Sequence, residues 1–195
     1  MKKLVLLFLL SLALPVAAFA NSIDFTNSGG TLTGTSAGMT LSDSALIAIN
    51  GMSGGLVTGD NLGTLSFSTG AMTSGDLQTG ATFASGGTFT IWSNTMGTLF
   101  SGSFDGPVSW NLVTLANGTH NYTLTGSISG SWMGGGTVYG ATVQLTINTG
   151  KGFFNGSTSI SSGDTNIVVP EPGSLTLMGT GLVGLAGVLR RKLKR

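Results

Sequence analysis

Taken two residues at a time, HNYTLTGSIS (120–129) separates into two faces. Tyr122, Leu124 and Ile128 lie on one, and Thr123, Thr125, Ser127 and Ser129 on the other. TVYGATVQLTIN (137–148) repeats the pattern, setting Tyr139, Ala141, Val143, Leu145 and Ile147 against Val138, Thr142, Gln144, Thr146 and Asn148. TLSFST (64–69) and TFTIW (88–92) carry it in shorter form. Period two is the repeat of a strand with one face buried and one face in water. Nothing between residues 21 and 169 sustains a 3.6-residue apolar period, so the body is expected to be an antiparallel sheet protein.

One hairpin can be placed in register. VSWNLVTL and THNYTLTG flank Ala116-Asn117-Gly118. A two-residue Asn-Gly turn would set Trp110 opposite Thr125 and Leu112 opposite Thr123, mixing the faces. A three-residue loop with Gly118 in the left-handed position pairs Leu115 with Thr119. It then sets Leu112 against Tyr122 and Trp110 against Leu124, which keeps one side apolar. A one-residue slip exchanges the faces, so the three-residue loop is expected. His120 then lies beside the loop, opposite Thr114, as a histidine at the rim of the apolar face.

Further strands are expected from about Ile23 to Ile160, separated by GDN, SGD, SGG, NGT and NTG steps. Many short strands at such spacing predict a β-sandwich or jelly-roll-like domain over residues 21–169. A β-solenoid is the alternative, set second because the body shows no fixed period. The body carries six Asp (24, 43, 60, 76, 105, 164) against Lys151 alone, a net charge of −5. The basic excess belongs to the chain ends, so no nucleic-acid partner is expected. The chain has no cysteine, which excludes thiol nucleophiles and thiolate metal sites.

The two ends read differently from the body. At the start, Lys2 and Lys3 precede an apolar run from Leu4 to Leu14, and Ala18-Phe19-Ala20 offers a small-x-small cleavage site. This is the pattern of a secretory signal peptide over residues 1–20, an N-terminal signal helix cut after Ala20. At the other end, residues 174–189 are uncharged and largely apolar, followed by Arg190, Arg191, Lys192, Lys194 and Arg195. As a helix this stretch would be roughly 24 Å long, short against a hydrocarbon core of about 30 Å, and the flanking basic side chains make up some of the length by snorkelling to the headgroups. The basic cluster stays cytoplasmic and the body faces outward. Between body and helix, Pro170-Glu171-Pro172 forbids helix and sheet ladder alike and leaves an extended, accessible segment.

VPEPGSLTLMGTGLVGLAGVLRRKLKR (169–195) resembles a PEP-CTERM sorting signal, with Pro-Glu-Pro, a short Gly/Leu-rich helix and a basic end making up the segment 170–195. The resemblance implies recognition by an exosortase, a membrane-embedded cysteine transpeptidase-like enzyme of Gram-negative bacteria that make exopolysaccharide. It implies a transient anchor in the inner membrane, removal of the helix, and delivery of the body to the cell surface or extracellular matrix. It says nothing of what the body does there.

The body offers little for catalysis, and no catalytic residue, metal or cofactor is assigned to it. GTSAG (34–38) and GMSGG (51–55) match Gly-x-Ser-x-Gly, but neither is followed by the helix a nucleophile elbow needs. One His without Cys leaves no zinc set, and the Gly-Asp steps read as turn chemistry. The chain is therefore expected to be a non-enzymatic exported protein. A carbohydrate-binding module for exopolysaccharide is the alternative, with Trp92 at a strand end and Trp132 in a Gly-rich loop as candidates for stacking on sugar rings.

Overall fold

The computed structural model describes residues 21–52, 55–133 and 135–169. They form eleven antiparallel strands. These are β1 (Asn21–Thr35), β2 (Gly38–Met52), β3 (Gly55–Ser68), β4 (Met72–Asp76), β5 (Gly80–Phe83), β6 (Gly86–Ser93), β7 (Gly97–Phe104), β8 (Val108–Thr114), β9 (His120–Trp132), β10 (Thr137–Asn148) and β11 (Ser157–Val169). Among the described residues no helix is long and apolar enough to cross a membrane. The signal helix, the 174–189 helix, Ala18, Ala20, the Pro-Glu-Pro motif and the basic cluster lie outside the described residues.

Pairing runs β10-β11-β1-β2-β3-β6-β7-β9, and β9 pairs back onto β10, so eight strands close into a barrel. The expected sandwich is thus replaced by a closed barrel, and the solenoid alternative fails with it. β9 explains the remaining strands. Its second half, Ile128–Trp132, pairs with β7, and its first half, His120–Thr125, with β8. β6 and β5 follow the same division, pairing with β7 and β8, while β3 and β4 pair with β6 and β5. The pairs β3/β4, β5/β6 and β7/β8 are therefore three long strands, each broken by a kink. The described strands form an up-and-down meander whose middle three strands run on past the barrel wall.

The sandwich expectation failed because Gly and Asp steps read as turns are in several places bulges within long strands. Gly59-Asp60-Asn61 lies inside β3, and Ser28-Gly29-Gly30 inside β1. There Gly29 and Gly30 take positive φ, as does Asp43 across the pair in β2. Bulges increase local twist and bend a strand, which is how a sheet of this size curls shut. A bulge also corrects one face assignment. The β9–β10 register shifts between Val138 and Ala141, with Gly140 at φ 68°. Val138 is buried and Tyr139 is 76 % exposed, the reverse of the alternation that seated Tyr139 with Ala141.

The hairpin register holds as expected. Leu115 N–H donates to the Thr119 carbonyl at 2.8 Å, Gly118 has φ 80°, and Trp110↔Leu124, Leu112↔Tyr122 and Thr114↔His120 are cross-strand partners.

Inside the barrel Phe67 stacks on Phe89 at 6.0 Å, and Phe104 meets both edge-on at 5.6 and 5.8 Å. Phe25, Leu32, Leu41, Leu65 and Ile91 complete a side-chain-filled interior of the kind eight strands enclose. Thr64, Ser66, Thr88 and Thr90 alternate with these residues and so lie outside. A membrane-spanning barrel needs the opposite polarity.

One end of the barrel, called lower here, carries the β1–β2, β4–β5, β8–β9 and β10–β11 connections. Trp110, Tyr122 and Phe154 cluster there, with Trp110 stacked on Tyr122 at 4.8 Å. The β4–β5 tip is tied to them: Trp110 Nε1–H donates to the Leu77 carbonyl at 2.9 Å and Tyr122 O–H to the Gln78 carbonyl at 2.7 Å. The upper end carries the β2–β3, β6–β7 and β9–β10 connections, and β11 runs out there.

Candidate functional site

The two tryptophans do not meet. Trp92 is the penultimate residue of β6, paired with Thr64 and facing outward at 41 % exposure. Trp132 is the last residue of β9 rather than a loop residue. It stands opposite buried Phe100, with its ring 6.1 Å from that of Phe25, so it faces the interior. The barrel wall separates the two rings, which therefore form no common sugar platform.

His120 is buried against Phe153, the rings 4.2 Å apart, and its Nδ1 lies 3.2 Å from the Gly152 carbonyl oxygen. Its contacts are an aromatic ring and a backbone acceptor, not a nucleophile. Ser36 of GTSAG sits in the tight connection between β1 and β2, two antiparallel strands, which is not a strand-to-helix elbow. Ser53 of the second match lies outside the described residues. Among the described residues no three His, Asp or Glu side chains converge as a metal set.

A groove of about 770 Å³, lined by polar side chains together with Pro107, Gly126 and Val143, does cross the outer face of β1, β11, β10, β9 and β8. Strand register sets the polar side chains of this face, with Thr26 at its edge, in two rows. One runs Asp24, Asn166, Thr142, Ser127, and the other Thr26, Asp164, Gln144, Thr125, Ser109. Asn166 Nδ2–H donates to Asp24, and Thr26 Oγ1–H to Asp164 Oδ1 at 3.1 Å, so each acid is held by a neighbour across the β1–β11 seam. Adjacent strands lie about 4.8 Å apart and alternate residues along a strand about 6.7 Å. The face is thus a two-row lattice of hydroxyl, amide and carboxylate groups. Thr125, Ser127, Thr142 and Gln144 were already assigned to outward faces by their alternation. Asp24, Asp164 and Asn166 were not, because barrel closure brings them there from opposite ends of the body.

Beside the groove, Asp105 occupies the kink between β7 and β8. Ser129 Oγ–H donates to its carboxylate, and Gly140 N–H, in the β10 bulge, reaches the same oxygen at 3.4 Å. The Ser127 hydroxyl, then that of Ser129, hold its acid below the ordinary aspartate range, outweighing slight burial. One carboxylate thereby pins the kink to β9 and to the β10 bulge. A lowered folded-state pKa contributes stability that is full above the unfolded value of about 3.9 and is lost as pH falls through the folded value. Asp105→Asn should therefore lower the urea midpoint at pH 6, and the gap to wild type should narrow below about pH 3.9. A gap independent of pH would contradict this role. Asp76, held down by the Thr79 hydroxyl and the Thr79 and Gln78 amides, titrates alike in both proteins and cancels.

Comparison with known proteins leaves the barrel unassigned: no curated protein and no solved structure matches the chain. A family model does match residues 168–192, that of the PEP-CTERM protein-sorting motif. The match begins where β11 ends and covers the Pro-Glu-Pro segment, the apolar stretch and the first basic residues. That motif implies exosortase processing, export and sorting to the cell surface. Residues 168–192 thus carry a PEP-CTERM protein-sorting motif.

Proposed function

We propose that the 21–169 barrel is an exported, non-enzymatic component of the surface or extracellular matrix of a Gram-negative bacterium. An exosortase reads Pro170-Glu171-Pro172 while residues 174–189 hold the chain transiently in the inner membrane, with Arg190, Arg191, Lys192, Lys194 and Arg195 on the cytoplasmic side. The sorting motif carries this reading. The filled interior supports a role played by the outer surface, and the contacts of His120 and the hairpin position of Ser36 favour a non-enzymatic body. Replacing Pro170, Glu171 and Pro172 together by alanine in the native host should abolish the released form and leave full-length chain in the membrane fraction. Undiminished release would sink the reading.

A second reading, binding of exopolysaccharide, is favoured by the groove. Rows of hydroxyl and amide groups with two carboxylates suit an uncharged polyhydroxylated chain and repel an anionic one. In a pull-down on the host's own polysaccharide, Gln144→Ala with Asp164→Asn should weaken retention severalfold. Equal retention of this variant and wild type would rule the groove out.

A further inference from the structure

The upper end of the barrel is apolar where most of the surface is hydroxylated. Leu56 and Val57 beside the β2–β3 connection are 64 and 46 % exposed, and Met96 in the β6–β7 turn and Met133 after β9 are 44 and 46 % exposed. Trp92 faces outward just below Met96. An apolar cleft of about 290 Å³ between Ile49, Met52, Val57, Leu62 and Met96 opens among them. Among the described residues of the three upper connections and the flanking start of β3, Asp60 alone is charged. The lower end also exposes Val113, Leu115 and Phe153, but it carries Asp76 and Lys151, and Phe153 is stacked on His120.

β11 leaves the barrel at this upper end. Only residues 170–173 then precede the apolar stretch 174–189 in the sequence, and four residues span at most about 14 Å. Where that stretch enters a bilayer, the tether keeps the barrel within this distance of the lipid surface. A short tether makes any second contact intramolecular, so a rim of a few apolar side chains suffices to engage.

We propose that the upper rim is a lipid-docking face. Leu56, Val57, Met96 and Met133 enter the headgroup–acyl boundary while the chain is anchored, and Trp92 sits at headgroup level, where an indole's apolar body and N–H both find partners. Asp60, exposed on β3, limits how deep that side of the rim can go. The proposal rests on the membrane reading of residues 174–189.

The chain has no cysteine, so a single substitution carries a single label. Met96→Cys, Met133→Cys and, as the lower-end reference, Leu115→Cys are each made in the full-length chain. Each is coupled to an environment-sensitive fluorophore and reconstituted into phosphatidylcholine/phosphatidylglycerol vesicles. Labels at 96 and 133 should shift to the blue and be quenched severalfold more strongly by lipid-borne nitroxide than the label at 115. If the chain floats with the vesicles and all three labels quench alike, the docking face is wrong and the membrane reading survives. A blue shift at 96 and 133 without lipid quenching overturns it in favour of a second protein copy on the rim. A chain that does not float with vesicles overturns the membrane reading and the docking face together.

Discussion

Trp110→Ala should cost about 3–5 kcal/mol of stability, the usual range for truncating a fully buried large aromatic. Three contacts go at once. Trp110 is stacked on Tyr122 with an interplanar angle of 13°, meets Phe154 edge-on at 5.3 Å, and donates its indole N–H to the Leu77 carbonyl. The last of these holds the β4–β5 tip, and Leu77 lies near Gly34 of β1. The loss therefore loosens the lower end from β8 across to β1 as well as opening a cavity. Tyr122→Phe gives a graded comparison. It removes the O–H that donates to the Gln78 carbonyl and accepts from Phe154 N–H at 3.1 Å, and should cost about 1–3 kcal/mol. Urea unfolding midpoints check both. A Trp110→Ala loss below that of Tyr122→Phe would mean that this cluster does not hold the lower end.

Gly130→Val should be comparably severe, for the opposite reason. Gly130 of β9 and Gly102 of β7 are direct partners, and the two backbones approach more closely than side chains allow. A Cβ at Gly130 would stand 2.8 Å from the Ser101 carbonyl carbon and overlap its oxygen; one at Gly102 would stand 2.8 Å from the Gly130 Cα. The obstruction is backbone, which cannot rotate aside, so β7 and β9 must part. That pairing is part of the barrel wall. Overpacking typically costs about 1–3 kcal/mol, and the upper end of that range is expected where only backbone could give way; some of the chain should be lost to aggregation through the two opened strand edges. Gly106→Ala is the control: nothing lies within 4 Å of its would-be Cβ, and its φ is not in the left-handed region. Its effect should stay within about 1 kcal/mol. Equal effects of the two substitutions would show that the close approach at 102 and 130 is not a constraint.

These residues mark how much of the fold is legible in the sequence. The register of β8 against β9 follows from face consistency, because a slip at Ala116-Asn117-Gly118 would bury threonines and expose Trp110. Local pairing of that kind is decided by a few neighbouring residues. Barrel closure is not, since Gly59-Asp60 and Gly29-Gly30 carry the same composition whether they end a strand or bulge within one. Tyr139 is misassigned for the same reason: a one-residue bulge at Gly140 exchanges every face before it. The groove was half legible. Alternation places Thr125, Ser127, Thr142 and Gln144 outward, but Asp24 and Asp164 become neighbours only when the last strand pairs with the first. The sorting segment lies at the other extreme. Two prolines, an uncharged stretch and a basic end, in fixed order, are read from the chain without any tertiary contact.

The fate of the two chain ends decides whether the barrel is passed outward. The direct measurement is the intact mass of the protein recovered outside the cells of its native host. A mass running from Asn21 to a C-terminus near Pro172 is the expected result. It would mean that the apolar stretch and the basic cluster had been removed and the barrel passed outward. A mass that retains Arg195, found only in the membrane fraction, would make residues 174–189 a permanent anchor and contradict processing by an exosortase.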